Sequence, residues 1–152
     1  MPKYYKRKYY YRGSRDKYSV EQQGGTVTNN ASGDGGVVVV PASTTQGMRK
    51  VKHITVSMAA NVDTTSSALW WALVYVPQGT GVGVLNVSGS GTLYEPNQFV
   101  MDCGAFDFDG GPLRVHCPIS RNLNSGDQIA LIIKGTANLT FRYVVKYAIT
   151  LQ

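Results

Sequence analysis

The sequence predicts an all-β domain of eight antiparallel strands, folded as a sandwich or a barrel and preceded by a basic N-terminal arm. Three observations support this fold class: apolar residues alternate with a period of two, turn-forming residues separate the apolar runs, and no window shows a convincing helical stripe. The 152 residues suffice for one domain with a core. We therefore divide the chain into an arm at residues 1–17 and a β domain at residues 18–152. A double-sheet jelly roll is one member of this set of folds.

The alternation is clearest at the C-terminal end. Apolar side chains occupy every second position there: Phe141, Tyr143, Val145, Tyr147, Ile149 and Leu151. Ile54, Val56 and Met58 repeat the pattern earlier in the chain. Each pattern predicts a strand with one buried face.

The expected strands cover residues 18–28, 36–43, 49–60, 68–77, 97–107, 111–120, 127–135 and 139–151. Pro41 is expected to end the second strand, and Gly24-Gly25 predicts a bulge in the first. The glycine-rich segment 79–96 lacks the Gly-Lys-Ser/Thr of a phosphate loop, so we interpret it as a long surface or contact loop. The predicted core consists of Ile54, Val56, Trp70 or Trp71, Phe99, Val115, Ile129, Leu131, Phe141, Val145 and Ile149.

The arm carries the net charge of the chain. Its seven basic residues and Asp16 give +6, which equals the formal charge of the whole protein, so residues 18–152 are neutral. Cations bind phosphates by releasing counterions, and tyrosine rings stack on unpaired bases. We therefore predict an arm that is disordered in isolation and binds single-stranded nucleic acid. The predicted binding residues are Lys3, Tyr4, Tyr5, Lys6, Arg7, Lys8, Tyr9, Tyr10, Tyr11, Arg12, Arg15 and Lys17.

Two other interpretations of the arm are a solvated tail and a patch that lies on a membrane surface. No apolar run in the chain approaches the ~20 residues of a membrane span, and we predict no membrane partner. Lys6-Arg7-Lys8 is also a short match to a nuclear import signal.

Trp70 and Trp71 are neighbours on one predicted strand. Neighbouring side chains on a strand point to opposite faces, so one tryptophan belongs to the core and the other to the outer surface. Large exposed aromatic side chains usually mark an interface. Trp70 and Trp71 are therefore our candidates for a subunit interface.

Residues that could carry chemistry are few. Cys103 and Cys117 are expected to be small buried side chains on paired strands, because neither they nor His116 has the spacing of a zinc site. Asp102, Asp107 and Asp109 are interpreted as solvated carboxylates at a turn. No nucleophile elbow or isolated pair of carboxylates occurs. We expect no enzymatic activity, no metal and no cofactor.

Three segments carry a resemblance to a known family: Met48-Arg49-Lys50-Val51-Lys52-His53-Ile54-Thr55-Val56, the strand ending Tyr75-Val76-Pro77-Gln78-Gly79, and Phe141-Arg142-Tyr143-Val144-Val145-Lys146-Tyr147. With the basic arm, they resemble the capsid proteins of small circular single-stranded DNA viruses that encode a Rep protein, the circovirus-like group. The chain differs from this family in its shorter length and in an arm rich in tyrosine rather than a long arginine-rich stretch.

The resemblance implies a single eight-stranded jelly roll and a shell of 60 copies with T=1 icosahedral symmetry. It implies an arm that faces inward onto packaged single-stranded DNA, and it places the protein in the virion and, before assembly, in the host nucleus. Satellite-type plant virus capsids share this design, so an RNA genome stays open. No receptor is identified. The alternative function is a monomeric β-barrel module that binds single-stranded nucleic acid through basic and aromatic residues on one face of its body.

Overall fold

The computed structural model describes residues 18–29, 35–60, 68–82, 99–107, 111–135 and 138–150. The predicted arm lies outside the described residues. Nine strands account for most of the described chain: β1 (Tyr18–Asn29), β2 (Gly35–Val40), β3 (Arg49–Ala60), β4 (Ala68–Val76), β5 (Val100–Asp107), β6 (Leu113–Cys117), β7 (Arg121–Leu123), β8 (Gln128–Gly135) and β9 (Leu139–Thr150). The all-β prediction is confirmed. No helix in the described part of the chain is long and apolar enough to cross a membrane.

The strands form two antiparallel sheets that pack face to face. Sheet I has the order β1-β9-β3-β6, with β7 paired to β3, and sheet II has the order β2-β8-β4-β5. The eight long strands pair from the outside of the sequence inwards: β1 with β9, β2 with β8, β3 with β6, and β4 with β5. This nested pairing of one long hairpin wound into two sheets is the jelly-roll topology.

The short strand β7 corrects the predicted count of eight. The expected strands leave residues 121–126 as a connection. In the structure, Arg49, Lys50 and Val51 pair with Leu123, Asn122 and Arg121. The cause is the length of β6, which pairs with β3 only from Ile54 to Met58. β9 pairs with one side of the first residues of β3, and β7 pairs with the backbone groups on the other side, beyond the reach of β6.

The core between the sheets follows the alternation of the strands. In β9, Phe141, Val145 and Ile149 are at most 1% exposed, whereas Val144 between them is 46% exposed. The predicted core residues Ile54, Val56, Ile129 and Leu131 are also buried, and Val115 packs against the core half-buried. The inward-facing residues of β9 from Phe141 to Ile149 were therefore predicted correctly from the period of two, and Leu151 lies outside the described residues.

Phe99 corrects the core prediction. It packs against a second apolar cluster on the outer face of sheet II, which consists of Ala72, Val74, Val76, Ala130 and Ile132. This cluster exists because β4 is apolar on both faces, and a continuous apolar run does not reveal which face a following residue will join.

Gly24 and Gly25 do not form the predicted bulge, because β1 pairs with β9 in one unbroken register. Gly25 instead makes room for Tyr143, since a Cβ atom at Gly25 would lie 2.9 Å from the Tyr143 hydroxyl oxygen. Pro41 follows the last residue of β2, Val40, as predicted. The registers bring the strand ends that flank 61–67, 108–112 and 136–138 to one end of the sandwich, and the 77–99 connection leaves from the other.

Candidate nucleic-acid interface

The predicted binding residues of the arm, from Lys3 to Lys17, lie outside the described residues. The described chain begins at Tyr18, the first residue of β1. The Nζ atom of Lys52 lies 3.3 Å from the centroid of the Tyr18 ring, a cation–π contact between β1 and β3. This contact fixes the point where the arm joins the sandwich.

The outer face of sheet I is strongly basic. Five cations point outward from β3, β6 and β9, and we call them the basic face: Lys50, Lys52, Arg114, Arg142 and Lys146. Their pairing partners Ser57, Thr55 and Ala59 place Arg114, Lys146 and Arg142 on adjacent strands. The only acidic residue described in the strands of sheet I is Glu21. Its carboxylate accepts a hydrogen bond of 2.6 Å from the hydroxyl of Tyr147, a buried residue on the inward side.

A bulge in β3 turns two of these lysines outward. The register of β3 against β9 shifts between Lys52 and Thr55, and His53 has a φ of 54°. Without the extra residue, strict alternation from Ile54 would bury Lys52 and expose Val51. Val51 is instead fully buried. The bulge therefore builds the end of the basic face nearest the arm.

The same bulge brings His53 beside His116 of β6. The two imidazoles are stacked, with centroids 6.1 Å apart and planes 10° apart, and Thr55 Oγ1 shares a hydrogen bond of 3.0 Å with His116 Nδ1. Both rings are exposed on the basic face. The pairing of His53 with His116 was not predicted from the sequence, because it depends on the bulge.

The two tryptophans face opposite sides of β4. Trp71 is 6% exposed in the core, where Gly104 leaves the space for its ring, since a Cβ atom there would lie 3.1 Å from the indole. Trp70 is half-buried on the outer face of sheet II, next to the apolar cluster of Ala72 and Ile132. Whether Trp70 contacts another subunit stays a prediction.

A buried carboxylate that was not predicted from the sequence lies at the end of the sandwich near Tyr18. Asp127 is 4% exposed and accepts hydrogen bonds from the Tyr75 hydroxyl (2.7 Å) and from the backbone N–H groups of Gln78 (3.0 Å) and Asn124 (2.8 Å). Burial alone would raise the pKa of Asp127, but these hydrogen bonds outweigh it and hold the pKa below its ordinary value. Burial and the bond to Asp127 raise the pKa of Tyr75. The signal in the sequence was the turn Asn124-Ser125-Gly126-Asp127, in which the carboxylate of the last residue accepts a hydrogen bond from the backbone N–H of the first.

The cysteines correct a further expectation. Cys117 is buried on β6 in sheet I, whereas Cys103 is exposed on β5 in sheet II, so the two do not lie on paired strands. Both are free thiols. Among the described residues, no group of three or more His, Cys, Asp and Glu side chains could hold a metal ion.

Comparison with known proteins adds no family to these observations. No protein-family model matches the chain, and a search of curated proteins finds no match. The fold and the distribution of charge over its two sheets are therefore the observations from which a function is inferred.

Proposed function

We propose that this protein is a viral capsid subunit that self-assembles into a small icosahedral shell of 60 copies and packages single-stranded nucleic acid, with DNA as the favoured genome. One observation carries the proposal. Tyr18, the first described residue after the basic arm, lies beside the sheet face that holds five of the eight basic residues found after residue 17. Cations concentrated on one face, next to the residue that follows the basic arm in the chain, suit a polyanion.

The exposed part of the opposite face, around Trp70, suits packing between copies. The centre of that face is already buried within the chain, at Ala72, Val74, Val76, Ala130 and Ile132. The residues described on the outer face of sheet II include one cation, Lys134, and one carboxylate, Asp107, so that face is nearly neutral. Subunits that present nearly neutral surfaces to each other avoid like-charge repulsion on close packing. The half-buried ring of Trp70 lies on this face and is the candidate contact between subunits.

The jelly roll supports the proposal as a scaffold. This topology occurs in viral capsid domains, and also in lectins and cupins, so the fold alone does not assign a function. The segregation of charge distinguishes the capsid hypothesis, because a shell needs one surface for the genome and others for its neighbours. In this proposal the protein has no catalytic role, sheet I faces the genome in the virion, and import into the host nucleus precedes assembly.

The basic face also favours a second candidate, a monomeric module that binds single-stranded nucleic acid. Such a module needs cations and an aromatic ring on one face of its body, and Tyr18 with Lys52 provides both. The two candidates differ in self-association rather than in binding.

Electron microscopy and sedimentation velocity on the purified full-length protein test the proposal. We expect uniform closed particles that contain nucleic acid. Trp70→Ala should reduce particle formation, whereas Val144→Ala, an exposed apolar position on the outer face of sheet I, should leave it intact. A protein that stays monomeric at every salt concentration and pH, yet binds oligonucleotides, is instead the monomeric module.

A further inference from the structure

A polar cleft of about 460 Å³ opens at the end of the sandwich where the arm begins. Its lining residues come from β3, β4, β7 and the residues on either side of β7: Lys50, Tyr75, Ser120, Arg121, Asn122 and Asn124. The volume lies within the range of small-molecule sites, about 300–1,000 Å³. The lining holds two cations and no carboxylate, so an anion is the ligand that fits it.

Arg121 is held in place by a chain of contacts. Its guanidinium carbon lies 4.3 Å from the centroid of the Tyr75 ring, and the Tyr75 hydroxyl donates to Asp127, which two backbone N–H groups fix in turn. A guanidinium that stacks through its face keeps its N–H donors free around its edge. Arg121 therefore offers a fixed set of donors, and the charge of Asp127 is satisfied by other partners.

Lys50 supplies the second cation from a fixed backbone. Its N–H donates to Thr150 Oγ1 at 2.9 Å, and it pairs with Asn122 of β7. Two cations beside amide and hydroxyl side chains suit a phosphate group joined to a base or sugar, because the cations bind the phosphate and the amides pair with base or sugar atoms. We propose that this cleft binds one nucleotide of single-stranded nucleic acid, with its phosphate between Lys50 and Arg121.

The position of the cleft gives this binding a role. Lys50 also belongs to the basic face, and Lys52, two residues along the same strand, contacts Tyr18 where the arm begins. Because Lys50 belongs to both the basic face and the cleft, a nucleic-acid strand bound along the basic face extends into the cleft. The identity of the ligand as a packaged strand rests on the proposed function, whereas the recognition of a nucleotide phosphate does not.

Thermal unfolding of the full-length protein with thymidine 3′,5′-bisphosphate tests the inference. A ligand that binds only the folded state raises Tm, and the rise grows with the logarithm of the ratio of ligand concentration to Kd. We expect a concentration-dependent rise for the wild type and for Lys134→Gln, a cation outside the cleft. Arg121→Gln and Lys50→Gln should each weaken the apparent affinity by about tenfold or more, since each removes a charged hydrogen bond. Unliganded Tm values and circular dichroism show whether each variant is folded.

Each measurement has an outcome that overturns the inference. An absent rise in the wild type, or an undiminished rise in both cleft variants, refutes the site. An equal rise with inorganic phosphate shows an ion site without nucleotide recognition, and an equal rise with unphosphorylated thymidine removes the role of the cations. Electron micrographs of the same samples separate this result from the proposed function: particles without a Tm rise refute the cleft alone, and a Tm rise without particles refutes the shell alone.

Discussion

We expect the salt dependence of nucleic-acid binding to weaken when the basic face is neutralised. The variant replaces all five of its cations with glutamine: Lys50, Lys52, Arg114, Arg142 and Lys146. Four of these side chains are exposed and Lys52 is half-buried, and none lies in the core, so the fold should tolerate the changes. The arm is left intact, which isolates the contribution of the sheet.

The magnitude follows from counterion release. Each phosphate neutralised on a single strand contributes about 0.7 to the slope of log K against log salt. Five contacts therefore account for a slope of up to about 3.5. Between 50 and 200 mM salt, a slope of that size changes affinity by roughly 100-fold. The wild type should lose that much more affinity over this range than the variant does.

Fluorescence anisotropy with a labelled single-stranded oligonucleotide measures both slopes, and sedimentation velocity checks that wild type and variant share one oligomeric state. Lys134→Gln, on the outer face of sheet II, is the matched control and should leave the slope unchanged. If the variant with five substitutions is folded and shows the wild-type slope of log K against log salt, the arm alone binds nucleic acid and the basic face has no part in it.

Three further predictions concern stability. Val145→Asp should prevent folding, because an unpaired buried carboxylate costs several kcal/mol out of a free energy of unfolding of about 5–15 kcal/mol. Val144→Asp, at a position that is 46% exposed, should fold. Soluble, native-like Val145→Asp would refute the register of β9. Gly104→Ala should cost about 1–3 kcal/mol in urea unfolding, because its Cβ would crowd the Trp71 ring, and an unchanged midpoint would contradict that contact. The lowered pKa of Asp127 means that its bonds stabilise the fold above the ordinary carboxyl pKa of about 3.9 and that this contribution is lost as pH falls through the lower folded-state value. Asp127→Asn should therefore remove part of the acid-induced loss of stability in melts at a series of pH values, and an unaltered pH profile would count against the network.

Much of the strand pattern was predictable because it is local. The period of two in β9 identified its buried residues, and the turn residues located most of the strand ends within a few positions. The short strand β7 was not predictable in this way. Its three residues are too few to show an alternation. They form a strand because they pair with the first residues of β3, on the side away from β9.

The candidate interface shows the same division. The arm was recognisable from charge and tyrosine content, because both are properties of composition. The basic face was hidden, because residues 18–152 have no net charge and the order of residues does not state which sheet a cation will face. One signal in the sequence indicated the bulge that turns Lys50 and Lys52 outward. The buried residues of β3 are spaced by three positions once and by two positions afterwards: Val51, Ile54, Val56 and Met58.

The sequence by itself determined an all-β chain with a basic arm, since alternation, turn residues and net charge can be read directly from the order and identity of the residues. The tertiary structure alone decided that first strand pairs with last, that five cations share one face, and that Arg121, Tyr75 and Asp127 meet beside Lys50. These relations join residues far apart in the chain. Hydrogen bonding between strands and the packing of two sheets create them, and no local pattern records the outcome.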